Sequence, residues 1–272
     1  MIHPSAIIEP GAQLGADVQI GPFAYVGAHA VLGDGCILSP HAVVLDHATL
    51  GARCRVHSGA VIGDLPQDLS FSGEPSYVVT GDDCIFREGV TVHRGTTPGS
   101  TTKLGHHVFM MANSHIAHNG EVGNHVILAN GVLLAGYVTV GDRCFFGGGA
   151  AIHQFCHIGR FSMVGGLTAI TKDLPPFCIT VTGGANTVAG LNLVGLRRGG
   201  FSAKERAQIK TVFKTLYHSG LNVSQARERL QEQVSENPFA AEYIAFLSHA
   251  KRGICPVSRR PGKAEAEADA DA

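Results

Sequence analysis

The segment Asn113–Asn119, NSHIAHN, sets two imidazoles, His115 and His118, on either side of the apolar pair Ile116 and Ala117. Imidazole is the side chain best suited to take and return a proton near neutral pH. Eighteen residues beyond His118 stands Gly136, and eighteen beyond that stands Gln154, with His153 beside it. Core packing does not call for a His, a Gly and a Gln in one series. The series offers a general base, a backbone N–H with no side chain in front of it, and a polar clamp, which are the parts of an acyl-transfer site. A second series at the same spacing, Gly148 and Gly166, leaves a smooth track for something thin and apolar. A metal site competes for the same imidazoles, since His93, His115 and His118 have the residue type of zinc ligands. Zinc leaves the Gly and Gln of the series without a purpose.

A spacing of eighteen has meaning only if the chain stacks at that interval. Aliphatic or other apolar residues recur every six positions from Ile8 through Leu14, Ile20, Val26, Leu32, Leu38, Val44, Leu50 and Val56 to Ile62. A second run goes from Leu104 through Met110, Ile116, Val122, Leu128, Leu134, Val140, Phe146, Ile152, Ile158 and Val164 to Ile170. Glycine often follows the apolar position. A six-residue period sustained over most of a chain predicts a parallel β-helix. Three hexads close one triangular coil, so residues eighteen apart lie one above another. The other histidines, His3, His29, His41, His47, His57, His106, His107 and His125, read as corner or solvent-face residues.

The repeat is expected over residues 1–190. It is interrupted by a polar excursion near 64–80 and a shorter loop near 95–102, with phase regained at Thr80, Phe86, Val92 and Leu104. Loops inserted in a solenoid often carry function. The rhythm fails after Ile170, and a small helical domain is expected over 191–252. Ser202 and Glu205 form a capping box for a helix that ends near Gly220. Ser224 is expected to cap a second helix through Val234, and Asn237-Pro238 to start a third. Residues 253–272 read as a disordered tail. An open β-helix has flat faces and bare ends, and self-association is the usual remedy.

The net charge of −1 gives no sign of a basic nucleic-acid or membrane surface. No run approaches the roughly eighteen apolar residues of a membrane span. The first residues carry no basic and apolar leader. Seven cysteines, an odd number without CxxC pairs, point to unpaired thiols in a reducing cytoplasm.

The segments IGPFAYVG (20–27), PQDLSFSGEP (66–75), TVHRGT (91–96), HIAHN (115–119), ILAN (127–130), LAGYV (134–138), IHQFCHIG (152–159), MVGG (163–166), DLPPF (173–177) and GLRRGGF (195–201) together resemble the UDP-N-acetylglucosamine O-acyltransferases of lipid A biosynthesis over about residues 1–250. The resemblance implies an all-β, left-handed parallel β-helix with a small C-terminal α-helical domain. It also implies a homotrimer with clefts between subunits. The implied reaction moves a 3-hydroxyacyl chain from acyl carrier protein to the 3-hydroxyl of UDP-N-acetylglucosamine, without cofactor or metal. By motif position His118 matches the general base and Gly136 the oxyanion donor. Asp68 matches a glucosamine contact, and His93 lines the cleft. His115, His153 and Gln154 match substrate and acyl-donor contacts, and Asn192 and Arg198 match nucleotide contacts. Gly148 and Gly166 match the acyl groove, whose open end predicts a longer chain.

The chain departs from the family pattern at several points. Asn119 stands where an Asp usually follows the base. Ser70 replaces a lysine, Tyr137 a histidine, Val194 an acidic residue and Gly199 a basic one. These positions leave open a 3-amino UDP-sugar or another amine as acceptor. A scaffold without activity is the different-class alternative, and the His118–Gly136–Gln154 series speaks against it.

Overall fold

The computed structural model describes residues 1–258. Pairs of residues from each hexad form short strands, beginning at Ile7–Ile8 and ending at Val188–Leu191. They assemble into three parallel sheets of nine, eight and ten strands, the last closed by one antiparallel strand. The sheets are the faces of a triangular prism, a left-handed parallel β-helix, which runs against the usual right-handed crossover. The first face carries Ile7–Ile8, Tyr25–Val26, His115–Ile116, Leu133–Leu134, Ala151–Ile152 and Ala169–Ile170 among its strands. The second carries Gln13–Leu14, Thr101–Leu104, Glu121–Val122 and His157–Ile158. The third carries Gln19–Ile20, Phe109–Met110, Phe145–Phe146 and Met163–Val164.

The repeat residues fill the prism. Val26, Leu38, Val56, Phe86, Met110, Leu128, Phe146 and Val164 are all fully buried or within 1% of it. Glycine follows because successive coils lie a strand spacing apart. At Gly147 a Cβ would strike the backbone of Gly166 in the next coil. Most corners also place a residue at positive φ, and Asn119 (58°), Tyr137 (59°) and Phe155 (65°) supply it along one edge.

The interval of eighteen holds within each uninterrupted run, as in His115 paired with Leu133 and Leu133 with Ala151. Across the two insertions it does not. Ile62 pairs with Val92, thirty residues on, and Val92 with Ile116, twenty-four on. Insertions whose lengths are multiples of six keep the apolar phase while changing which residues stack.

At the C-terminal end Cys178–Thr180 pairs antiparallel with Val188–Leu191 and closes the ladder. Four helices follow: α1 (Leu193–Arg198), α2 (Ala203–Tyr217), α3 (Val223–Gln231) and α4 (Pro238–His249). The Ser202–Glu205 capping box of α2 is present. Helix α3 corrects the expected start, because its cap is Asn222, whose side chain accepts from Gln225 N–H while Gln225 answers in return. Helix α1, one and a half turns long, is too short to leave a periodic signal. The helices are fastened to the coil by aromatic packing. Tyr243 donates to Pro176 O at 2.9 Å, and Arg160 forms a forked pair with Glu242 over the Phe177 ring.

The expected disordered tail is corrected over its first residues. Cys255 is buried, its N–H donates to Asp173 O, and Ile254 and Val257 make isolated bridges to Asp173 and Val188. The remainder of that tail, 259–272, lies outside the described residues.

A coil whose walls are backbone ladders cannot collapse around a lost side chain. Leu128→Ala should therefore cost about 2–5 kcal/mol, the range for a large cavity in a stiff core. Chemical denaturation of the parent and variant measures the difference.

Candidate functional site

The backbone confirms the predicted column. Tyr137 N–H donates to His118 O at 3.0 Å, and Phe155 N–H donates to Gly136 O at 3.1 Å, so His118, Gly136 and Gln154 occupy successive coils. All three lie at the first corner, between the first and second faces. The His118 ring lies over Gly136, where a Cβ would collide with its Cε1 and Nε2. Glycine is thus a packing requirement of the imidazole position.

The corner backbone has a donor to spare. At the second corner the N–H of Ala16, Ala52, His106 and Asn124 is met by Asp34, Asp82, Asn124 and Asp142 from the next coil, at 2.7–2.9 Å. At the equivalent place the next residue above Gly136 is Gln154, and among the described residues the buried Gly136 N–H meets no acceptor. A buried donor without a partner costs roughly 1–3 kcal/mol. It is also a ready site for developing negative charge.

Hydrogen bonds fix the tautomer of His118. Asn119 Oδ1 accepts from Thr96 N–H at 3.0 Å and from Thr96 Oγ1 at 2.9 Å. A backbone N–H faces only an acceptor, so the amide oxygen must point there. His118 Nδ1 lies 3.1 Å from the same oxygen and is therefore the donor. In the neutral ring Nε2 then carries the lone pair. It points toward the excursion, 3.6 Å from Asp68 Oδ2, beyond hydrogen-bonding reach but close enough to share a hydroxyl between them. The backbone N–H and hydroxyl of Ser70, at 2.9 and 2.8 Å, hold the Asp68 carboxyl below the usual carboxylate range.

His93 and His115 stand edge to face, 4.8 Å apart, behind the base. Burial lowers the His93 pKa, and its Nδ1 is buried without a partner. Burial, with His93 second, pushes His115 down to about 4, and its Nδ1 is 2.7 Å from Thr91 Oγ1. Both imidazoles are neutral at neutral pH. Among the described residues no group of three His, Cys, Asp or Glu side chains is placed to share one ion.

His153 and Gln154 lie exposed at the same corner, with His153 Nδ1 3.1 Å from the Gln154 carbonyl oxygen. Gly148 and Gly166 lie elsewhere, at the third corner, between the third and first faces. They stack as predicted, since Leu167 N–H donates to Gly148 O at 2.9 Å. The nearest atom a Cβ on Gly166 would meet is the Gly148 carbonyl oxygen, at 3.3 Å. Asn192 and Arg198 are placed beyond the second corner. Asn192 caps α1, accepting from Gly195 N–H and donating to Phe161 O, while Arg198 is exposed in its last turn. One protomer therefore brings Asp68, His93, His115, His118, Asn119, Gly136, His153 and Gln154 to one corner. It leaves the glycine track and the Asn192–Arg198 pair at the other two. The sequence pattern does not mark Thr91, Thr96 or Thr102, the last of which accepts from Asn119 N–H at 2.8 Å. Thr96 lies inside the quoted TVHRGT, but the inserted loop around it carries no period that assigns it to a column.

Comparison with known proteins points to one family. The family described as "Udp N-acetylglucosamine O-acyltransferase; Domain 2" matches residues 173–255, and "Bacterial transferase hexapeptide (six repeats)" matches 29–64. The acyl-[acyl-carrier-protein]–UDP-N-acetylglucosamine O-acyltransferase of Anaeromyxobacter sp. (strain Fw109-5) is 44% identical over 93% of this chain and 98% of its own. That of Halorhodospira halophila is 42% identical over the same shares. Among solved structures, the UDP-N-acetylglucosamine acyltransferase of Campylobacter jejuni is 41% identical with TM-score 0.87, covering 95% of this chain and 100% of that one. The Francisella novicida UDP-N-acetylglucosamine acyltransferase is 33% identical with TM-score 0.91, covering 96% and 95%.

Burial of His115 as a neutral ring has a pH signature. The unfolded chain binds that proton near 6.5 and the folded chain only near 4. Stability from this group is complete above about pH 6.5 and falls as pH drops toward about 4, because the unfolded state then binds more protons. Thermal unfolding at about pH 7 and about pH 5 should show a smaller loss for His115→Gln than for the parent.

Proposed function

The chain belongs to the UDP-N-acetylglucosamine O-acyltransferase family, and from that premise we propose how its own residues carry the reaction. The protein is an acyltransferase that moves an acyl chain from acyl carrier protein to UDP-N-acetylglucosamine. The observation that carries the residue assignment is the free Nε2 of His118 above the unpaired N–H of Gly136. The sugar 3-hydroxyl lies between Nε2 and Asp68. Nε2 takes its proton as the oxygen attacks the thioester carbon. The carbonyl oxygen gains the negative charge and meets the Gly136 N–H. Collapse re-forms the carbonyl and breaks the carbon–sulfur bond, and the imidazolium returns its proton to the departing thiolate. His93, His115, His153 and Gln154 line the path of sugar and acyl donor. The acceptor is the hydroxyl of UDP-N-acetylglucosamine, in keeping with the O-acyltransferases that the chain resembles over nearly its whole length.

The three corners come together in a homotrimer. Outward residues of the third face include Ile85, Phe109, Ile127, Phe145 and Met163, and those of the first face Tyr25, Val43, Val61, Leu133 and Ala151. Those of the second face include Gln13, Lys103 and Glu121. Packing the third face of one copy on the first face of the next buries these apolar residues and leaves Lys103 and Glu121 to solvent. It also sets Asn192 and Arg198 of one copy against His118 of another, with the glycine track toward the axis. The seven cysteines are buried and unpaired, which fits a cytoplasmic location. No described helix is long and apolar enough to cross a membrane.

Three measurements test this reading. His118→Ala should lose ~10²–10⁴ in kcat when product is followed by mass spectrometry with acyl carrier protein and UDP-N-acetylglucosamine, the usual effect of a positioned base. A shared cleft is tested by mixing. Co-refolded His118→Ala and Arg198→Ala chains, at low nucleotide, should regain activity in about one quarter of clefts, because half of the neighbours supply each intact group. Recovery absent from the mixture would mean that each cleft belongs to a single chain. Gly166→Met should shift preference from long to short 3-hydroxyacyl donors by ~0.8 kcal/mol for each methylene displaced, and an unchanged preference would place the acyl track elsewhere.

A further inference from the structure

Asn119 Oδ1 is held by more than its bond to the base. Thr96 Oγ1, which donates to that oxygen, also lies 3.0 Å from Tyr137 Oη. Because the Thr96 hydroxyl proton is directed at Asn119, Tyr137 is the donor in this second bond. The result is a continuous line: Tyr137 O–H to Thr96 Oγ1, Thr96 O–H to Asn119 Oδ1, and His118 Nδ1–H to the same Oδ1. The line spans three separate pieces of chain. Asn119 and Tyr137 are the positive-φ residues of consecutive coils, and Thr96 belongs to the loop inserted near 95–102. The Tyr137 ring also stands edge-on to His118 at 5.4 Å and stacks on Phe155 at 5.0 Å, so its hydroxyl is aimed by packing on both sides.

An amide has two unlike ends, and a carboxylate does not. If the Asn119 amide turned over, its NH2 would face both the Thr96 N–H and His118 Nδ1. The imidazole would then be driven to the tautomer with Nε2 protonated, which cannot accept a proton from a sugar hydroxyl. What forbids the turn is the Thr96 backbone N–H, and that N–H sits on an inserted loop outside the coil ladder. The two hydroxyl bonds of Thr96 tie that loop directly to Asn119 and Tyr137.

We propose that Tyr137 and Thr96 are positioning residues that lock the Asn119 amide and, through it, the catalytic tautomer of His118. The proposal rests on the reading of His118 as the base. The loop near 95–102 thereby becomes part of the active site without touching substrate.

The test uses the full-length protein and a double-mutant design. Tyr137→Phe and Thr96→Val should each lower kcat by ~3–10-fold with KM within about twofold, the scale of one neutral hydrogen bond. The combined variant should be no worse than Thr96→Val alone, because both act through one line of bonds. Asn119→Asp removes the wrong end of the side chain, so Tyr137→Phe and Thr96→Val should cost less than about twofold in that background. Nitrogen-15 NMR of the imidazoles, with the His118 signal assigned by its loss in His118→Ala, should show Nδ1–H in the parent and a growing Nε2–H population in Thr96→Val. Equal losses in the parent and in the Asn119→Asp background, or an unchanged tautomer in a slowed variant, would make the role structural and overturn the proposal. So would full activity of both single variants. Full activity of His118→Ala would instead remove the base itself, which separates failure of the underlying reading from failure of the lock.

Discussion

Everything in this molecule depends on coils lying one backbone hydrogen bond apart. The inward aliphatic residue of each hexad supplies the burial, and the following glycine removes the Cβ that would hold the coils apart, as at Gly147 against Gly166. Once that spacing is met, every corner position becomes part of a vertical column. A column needs few changes to become a site. At the second corner, Asp34, Asp82, Asn124 and Asp142 consume the corner N–H of the coil below. At the first corner, a Gln in the equivalent place does not, and the Gly136 N–H is left for another acceptor. The candidate site thus lies at a corner whose backbone N–H groups the repeat leaves uncapped, with the His118 ring set over one of them.

Several departures from the family pattern are answered by neighbouring contacts. Ser70 brings no positive charge to the excursion, but it donates twice to Asp68 and keeps that carboxylate ionised and aimed. Gly199 lacks a basic side chain because the Phe161 ring occupies the space where its Cβ would go. Nothing in the structure explains the choice of valine at the exposed position 194. Asn119 is a different case. It keeps the acceptor role of a carboxylate toward Nδ1 and gives up the charge, so on the proposed mechanism an imidazolium would be held there by a dipole alone. Its geometry must then be better defined, because a misplaced dipole loses its effect more readily than a charge does.

The architecture and the main column were legible because both follow from a single number. The apolar period gives the coil, the coil gives the stacking interval, and the interval joins His118 to Gly136 and Gln154 without knowledge of side-chain contacts. The same logic failed where the chain leaves the lattice. The insertions at 64–80 and 95–102 change the interval to thirty and then twenty-four, so residues there cannot be assigned by counting. Asp68 was reached only through family resemblance, and Thr96 was not reached. Helix α1 and the bridges of Ile254 and Val257 were invisible for another reason. Their stability comes from tertiary contact with the coil end, as Leu196 and Cys255 are fully buried there, and segments of that length have little preference of their own.

The division of labour among corners explains why such a stiff monomer should assemble. A prism has flat faces and convex corners, so it cannot fold around a substrate. His118, the Gly148–Gly166 track and the Asn192–Arg198 pair face in three directions from one axis. In the proposed trimer a concave site would arise where a first face meets the third face of a neighbour, the two faces on which outward apolar residues such as Leu133, Phe109 and Phe145 gather. In that assembly burial of those faces would supply the binding free energy, and the cleft would form along the line where the two prisms diverge. Rigidity then serves the chemistry twice. It fixes the imidazole over the unpaired N–H within a protomer, and in the proposed trimer it would carry that precision across an interface to groups that the protomer itself holds far away.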